Sequence, residues 1–189
     1  GDRYGIGEGA MSGAVFRDYD RAALDREYDN RNKVPGFDFN AFVAALDADS
    51  KAARRKHDCV LDVAYGRKET QRLDIFRPIA RRAPVHIFFH GGYWRLFGKQ
   101  DFSYIANGVI PHDTMLVVVN YSLVPTVTMD QLVAECFSSI AWVMQNIEQY
   151  GGDPDRISIS GHSAGGHLAA MMMTRAWPVS PGRQSPFER

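Results

Sequence analysis

Long apolar runs are missing from this 189-residue sequence. Runs such as Met115-Leu116-Val117-Val118-Val119 fall far short of the roughly 20 residues a membrane-spanning helix needs. Residues 1–16 carry charges and glycines without the apolar stretch of a secretory signal. Met11 could be the natural start, with residues 1–10 foreign to the protein, and the sequence leaves this open. An excess of either charge is also missing. Twenty-two basic residues balance 22 acidic ones, so nothing recommends nucleic acid or an anionic membrane as partner. Cysteine is scarce: Cys59 and Cys136 stand far apart, which excludes a disulfide framework or a thiolate metal site. A reducing, cytoplasmic location is the simplest reading. His and Asp clusters with metal-ligand spacing are absent, and no cofactor is implied. Gly5-x-Gly7-x-Gly9 lacks the preceding buried strand of a phosphate loop. The basic residues 51–56 read as a solvated helix end.

What is present is a pentapeptide, Gly161-His162-Ser163-Ala164-Gly165. It fits G-x-S-x-G, and its flanks fit as well. Residues 156–160 alternate like a short strand, and residues 166–173 read as a helix. A serine between a strand and a helix sits on a sharp, strained turn that lifts its hydroxyl clear of the backbone. Such a serine needs a base and a set of donors for the oxyanion formed on attack. Ala164 opens the helix, so its N–H points into the site with the helix dipole behind it. His90-Gly91-Gly92-Tyr93-Trp94 follows a buried strand and precedes a helix, where a second donor loop belongs.

The rest of the chain alternates between the two kinds of element. Residues 21–32 and 39–56 read as helices, the second with Phe42, Val43 and Leu46 on one face. Residues 59–65 and 71–76 form a plausible antiparallel pair. Residues 85–89 and 115–120 are buried-strand runs. Residues 101–110 suggest a short helix stopped by Pro111. Residues 129–150 predict a long amphipathic helix, with Leu132, Cys136, Ile140, Val143 and Ile147 on one face and Gly151-Gly152 as its cap. Asp153-Pro154-Asp155 then turns into the strand before Ser163. The order argues for an α/β fold with a mostly parallel sheet and helices on both faces. Residues 1–19 are expected to be a flexible segment, 20–177 the domain and 178–189 a loose tail.

The chain resembles the α/β-hydrolases, and within them the kynurenine formamidase and carboxylesterase branch. The likeness rests on His90-Gly91-Gly92-Tyr93-Trp94 and Gly161-His162-Ser163-Ala164-Gly165-Gly166-His167. It extends to Asp101-Phe102-Ser103, Asn120-Tyr121-Ser122-Leu123-Val124-Pro125 and Gly151-Gly152-Asp153-Pro154. The resemblance implies a hydrolase of carboxylic esters or aryl formamides, such as N-formylkynurenine, acting through an acyl-enzyme on Ser163. It implies oxyanion donors on the N–H groups of Gly92, Tyr93 and Ala164, in a loop shaped by His90, Gly91 and Trp94.

One departure stands out. In this fold the serine is followed by an acid and then a histidine. Here His57, His86, His90, His112 and His162 precede Ser163, and His167 lies in the helix after it, where packing beneath the turn is expected. Glu188 is the one later carboxylate, in the tail. The triad Asp and His are thus absent from this chain. The resemblance implies that they, with the C-terminal strands, stand on roughly 70 to 90 further residues. The rival expectation is an incomplete half-domain that binds a ligand or partner chain without turnover. Either way Ile157-Ser158-Ile159-Ser160 becomes a bare strand edge, flanked by the apolar face of Leu168, Met171 and Met172. It is expected to be covered by a second chain, a swapped copy or the tail.

Overall fold

The computed structural model describes residues 13–29, 33–174 and 177. The glycines at 5, 7 and 9 and the tail from 178 onwards lie outside the described residues. Two compact units divide the chain, Gly1–Val43 and Ala44–Arg189.

The first unit has little to bury. Helix α1 (Arg21–Tyr28) starts at Asp20, whose carboxylate accepts the Ala23 N–H at 2.7 Å, and none of its residues is buried. The predicted helix reached 32, but residues 30–32 lie outside the described set. Phe37 and Phe42 pair their rings at 5.7 Å. Helix α2 (Phe39–Lys56) has the predicted bounds and runs on from Val43 into the second unit; Phe42 is exposed, and its buried residues, Ser50 and Ala53, belong to that second unit. The helix end that reads as solvated carries cations with partners: Lys51 pairs with Asp47 at 2.7 Å, and Lys56 Nζ lies 3.4 Å from Asn107 Oδ1. Arg54 donates to the Gln100 carbonyl at 2.6 Å and to Ser103 Oγ at 2.8 Å.

The second unit is built on a five-stranded sheet: β1 (Cys59–Ala64), β2 (Arg72–Phe76), β3 (Ala83–Phe89), β4 (Met115–Val119) and β5 (Gly152–Gly161). In space the order is β1-β2-β4-β3-β5. β1–β2 and β2–β4 are antiparallel, while β3 runs parallel to both β4 and β5. The sheet is therefore evenly mixed, and its parallel half carries the site. β1 does not alternate as its sequence suggests. A bulge between Val60 and Val63 puts Asp62 at φ 58°, and pairing resumes at Val63 opposite Leu73. Short polar side chains tolerate that left-handed conformation best.

Both faces of the sheet are covered. On one, Leu73, Ile75, Val85, Ile87, Phe89, Val117 and Val119 pack with helices α4 (Met129–Asn146) and α5 (Ala164–Met172). On the other, Phe76, Phe88, Leu116 and Val118 pack with Phe102 and Ala106. Each such side chain contributes roughly 1.5–3 kcal/mol on burial, and the sum gives the sheet its rigidity. Helix α4 begins with a reciprocal cap between Thr128 and Gln131 and ends in a 3₁₀ turn closed by Gly151 at φ 92°.

Two segments differ from expectation. Residues 101–110 are not one helix. A 3₁₀ stretch Lys99–Ile105 leads into a single α turn, α3 (Ala106–Val109), and a further 3₁₀ turn Ile110–His112. Pro111 sits inside that last turn rather than stopping it. A local cap, the Asp101 carboxylate accepting the Gly98 N–H at 2.9 Å, starts the segment as a 3₁₀ stretch. Further on, Asp153-Pro154-Asp155 belongs to β5 as a bulge: Ala83 faces Gly152, but Val85 already faces Ile157. Pro154 has no N–H for a ladder, and Asp153 binds Arg82, Arg156 and the Asp155 N–H instead.

β5 ends the strand order, and no strand among the described residues pairs with its outer side. The expected apolar flank is corrected. Leu168 and Met172 are fully buried in the main core, so α5 spends that face inside its own unit.

Candidate active site

Ser163 sits at the junction of β5 and α5 with φ 53° and ψ −118°, conformations an L-residue holds only when its surroundings insist. The surroundings are two glycines. A Cβ on Gly161 would lie 2.1 Å from the Gly165 carbonyl oxygen, and one on Gly165 would lie 2.0 Å from that of Phe89. Both obstacles are backbone, so neither can give way. The turn is closed by hydrogen bonds from the Gly165 N–H to the His162 carbonyl (2.8 Å) and from the Gly166 N–H to that of Ser163 (2.9 Å). The serine is left exposed at the head of a nine-residue helix, with the first amide of that helix, Ala164, beside it.

The second motif comes to the same place. β3 pairs with β5 up to Phe89 opposite Gly161, and the chain then enters His90-Gly91-Gly92-Tyr93-Trp94. A Cβ on Gly91 would stand 2.8 Å from the His162 carbonyl oxygen and 3.3 Å from the Ser163 Cβ. The glycine loop therefore lies against the serine turn. Three positive φ angles follow in succession: 114° at Gly92, 53° at Tyr93 and 58° at Trp94. The Gly92 carbonyl accepts the N–H groups of Arg95 and Leu96, both at 2.9 Å, which coils the loop back on itself. Tyr93 is exposed at 54%.

His90 is fully buried. Its Nδ1 lies 2.8 Å from the Gly91 carbonyl, and its ring stacks on Tyr121 at 4.2 Å and on Phe102 at 5.7 Å. Burial pushes its pKa down to about 4, against a smaller opposing effect of the Gly91 carbonyl. It is a neutral structural imidazole holding the loop. His167 does not pack beneath the turn as expected. It is exposed on α5, its ring edge-on to Trp94 at 5.3 Å. His57 lies against Asn107 at 2.9 Å, and His86 lies between Ser158 and Ser160 on the sheet. Among the described residues no histidine is hydrogen-bonded to Ser163 Oγ, and no group of three metal-ligating side chains exists.

Sequence reasoning passed over two buried charged groups near the site. Glu135 on α4 holds Ser122, and Lys99 after the glycine loop pairs with Asp74. Glu135 sits three residues after Leu132 and one before Cys136, on the buried stripe of α4, and that register is the signal that could have found it.

Comparison with known proteins agrees with this geometry. Residues 73–177 match the BD-FAE family. A kynurenine formamidase of Danio rerio is 34% identical over 152 residues, 78% of this chain and 50% of the relative. Esterase LipQ of Mycobacterium tuberculosis (strain ATCC 25618 / H37Rv) is 39% identical over 133 residues, 67% of this chain and 31% of the relative. Among solved structures, a protein of Silicibacter sp. TM1040 provisionally described as a thioesterase superposes with a TM-score of 0.69 at 27% identity. That match covers 79% of this chain and 55% of the other. The chain spans half or less of the length of these two curated relatives. With the family matched over more than half its length, both motifs in place and an esterase-like fold around them, the chain belongs to the BD-FAE family, in the esterase and formamidase branch of the α/β-hydrolases.

Proposed function

We propose that this protein is a serine hydrolase that cleaves a carboxylic ester or an aryl formamide. Ser163 Oγ gives up its proton and attacks the substrate carbonyl, and the tetrahedral intermediate expels the alcohol or arylamine, which takes up a proton, to leave an acyl-enzyme. The N–H groups of Ala164, Gly92 and Tyr93 receive the oxyanion, and water then releases the acid. The observation that carries this reading is the approach of the Gly91 backbone to Ser163, which sets a strained, exposed serine beside a glycine-rich loop. Donors fixed before the reaction cost no reorganisation when charge develops, which is why such a loop lowers the barrier. An ester or formamide presents the one carbonyl that this constellation needs. Its substrate range follows the names of the relatives, one a formamidase and one an esterase.

A fluorophosphonate probe tests the assignment. It should label the intact gene product, and Ser163→Ala should abolish both labelling and hydrolysis of an activated acetate ester. Labelling that persists in Ser163→Ala would sink the nucleophile. A second reading is kept because no histidine among the described residues reaches Ser163 Oγ. On that reading residues 1–189 bind a carbonyl ligand or a partner chain, the outer edge of β5 being the meeting place, and turn nothing over. Hydrolysis of the activated ester by residues 1–189 alone, at a rate near that of the intact gene product, excludes it. We place the protein in a reducing compartment, since Cys59 and Cys136 are both free thiols and burial pushes each pKa up. No helix among the described residues is long and apolar enough to cross a membrane.

A further inference from the structure

The glycine loop is strained at Tyr93 and Trp94, two non-glycine residues at positive φ, and strain of this kind persists only where neighbours over-determine it. What holds the loop is a short segment after β4, residues 121–124. At its start, the Tyr121 hydroxyl donates to the His90 carbonyl at 2.6 Å while its ring stacks on the His90 imidazole. At its end, the Val124 N–H donates to the Trp94 carbonyl at 2.9 Å. The segment thus grips the first and last residues of the five-residue motif and leaves the donor amides between them.

The middle of this strap is fixed by one carboxylate. Glu135 Oε2 accepts the Ser122 N–H at 2.8 Å, and Glu135 Oε1 accepts the Ser122 hydroxyl at 2.9 Å. Lys68 Nζ reaches the same Oε1 at 2.7 Å, and Ser122 Oγ lies 2.6 Å from Thr70 Oγ1. The Glu135 side chain is 5% exposed. A buried carboxylate is costly unless every oxygen is satisfied, so a bidentate grip on one loop residue is a rigid joint. Neither Glu135 nor Tyr121 bonds to Ser163 among the described residues.

We propose that Glu135 is a positioning residue for the oxyanion loop, acting through Ser122 and the 121–124 strap on His90 and Trp94. The inference rests on the hydrolase reading above. Glu135 keeps the donor amides aimed at the site where negative charge develops. Charge develops there in the transition state and not in the bound substrate, so loosening the strap lowers kcat and leaves KM nearly unchanged.

The test compares wild type with Glu135→Gln in the intact gene product. The amide keeps the volume and one acceptor but loses the charge and the second accepting oxygen. We expect a folded variant with kcat lowered roughly 10- to 100-fold and KM within about threefold, less than the roughly 10²–10³ for losing one oxyanion donor because the donors are loosened rather than removed. Fluorophosphonate labelling of Ser163 should slow by a similar factor, because phosphonylation uses the same hole. If Glu135→Gln does not fold, Tyr121→Phe takes its place, removing only the hydroxyl that holds the His90 carbonyl. Unchanged kcat and labelling rate in a folded variant, or a change confined to KM, overturns the proposal. Failure of the parent reading looks different: the wild type itself would then show no Ser163-dependent labelling.

Discussion

Lys99→Met is the most quantitative perturbation the fold offers. Lys99 follows the glycine loop, with its side chain 9% exposed. Its Nζ lies 2.7 Å from Asp74 Oδ1 and 2.8 Å from Asp62 Oδ1. Asp74, at 1% exposure, has one further donor to Oδ1, the Asp62 N–H at 2.8 Å. Methionine matches the lysine stem in volume, so the change removes charge with little loss of packing. Asp74 would then be a buried carboxylate without a cation. Breaking a buried pair from one side costs about 3–5 kcal/mol, against a total stability of about 5–15 kcal/mol for a domain. The Asp62 contact adds little, since that carboxylate is 73% exposed and screened by solvent. With a urea slope of roughly 2–3 kcal/mol/M for a chain of this size, the unfolding midpoint should fall by roughly 1–2.5 M. Adding Asp74→Leu to Lys99→Met should recover most of the loss, because a buried ion pair replaced by apolar groups is close to neutral. A midpoint shift under about 0.3 M for Lys99→Met, or a double variant no better than the single one, would refute the argument.

Three further outcomes are expected. Gly92 has φ 114°, and a Cβ there would stand 2.3 Å from the Leu96 carbonyl oxygen. Gly92→Val should therefore lower kcat roughly 10²-fold or more, with a smaller effect on KM, and steady-state kinetics showing a raised KM alone would mean that the loop merely binds. Gly165→Ala places a methyl 2.0 Å from the Phe89 carbonyl oxygen, and thermal unfolding should show a loss of at least about 3 kcal/mol or no folded protein. Burial holds His90 neutral down to about pH 4, while in the unfolded chain it takes a proton near 6.5. Below 6.5 the unfolded state binds the extra proton, so stability falls as pH drops from 6.5 to 4, by up to about 3 kcal/mol, and levels off below. Unfolding midpoints across that window should be flatter in His90→Asn than in wild type, and equal slopes would contradict the assignment.

Sequence pattern revealed the elements whose burial follows apolar period. β3 and β4 were legible because both faces of each are covered, and α4 because Leu132, Cys136, Ile140 and Val143 keep helical spacing. The serine turn was legible because Gly161 and Gly165 have no substitute there. What escaped was set by polar side chains. The bulge at Asp62 depends on Asp74 accepting its N–H, a contact 12 residues away in sequence. The break of the 99–112 segment depends on local caps, including the Asp101 carboxylate on the Gly98 N–H at 2.9 Å. Glu135 and Lys99 went unremarked because their partners lie on other elements. Alternation can say that a strand exists, but it cannot say which carboxylate in the interior has a donor waiting.

The pairing of β3 with β5 has a consequence in time. It sets Gly91 against His162, 71 positions later in the chain (162 − 91). During synthesis at about 5–20 residues per second, the glycine loop waits roughly 4 to 14 s for the serine turn to be made. Once β4 has been made, β3 has it on one side and nothing native on the other until β5 arrives. The serine turn meets the glycine loop only when β5 docks, since a Cβ on Gly165 would run into the Phe89 carbonyl and one on Gly91 into that of His162. The pairing is also among the most non-local in the chain, and such contacts form late. Docking of β5 is what brings the serine turn and the glycine loop together, and a chain still short of β5 carries the loop without the turn.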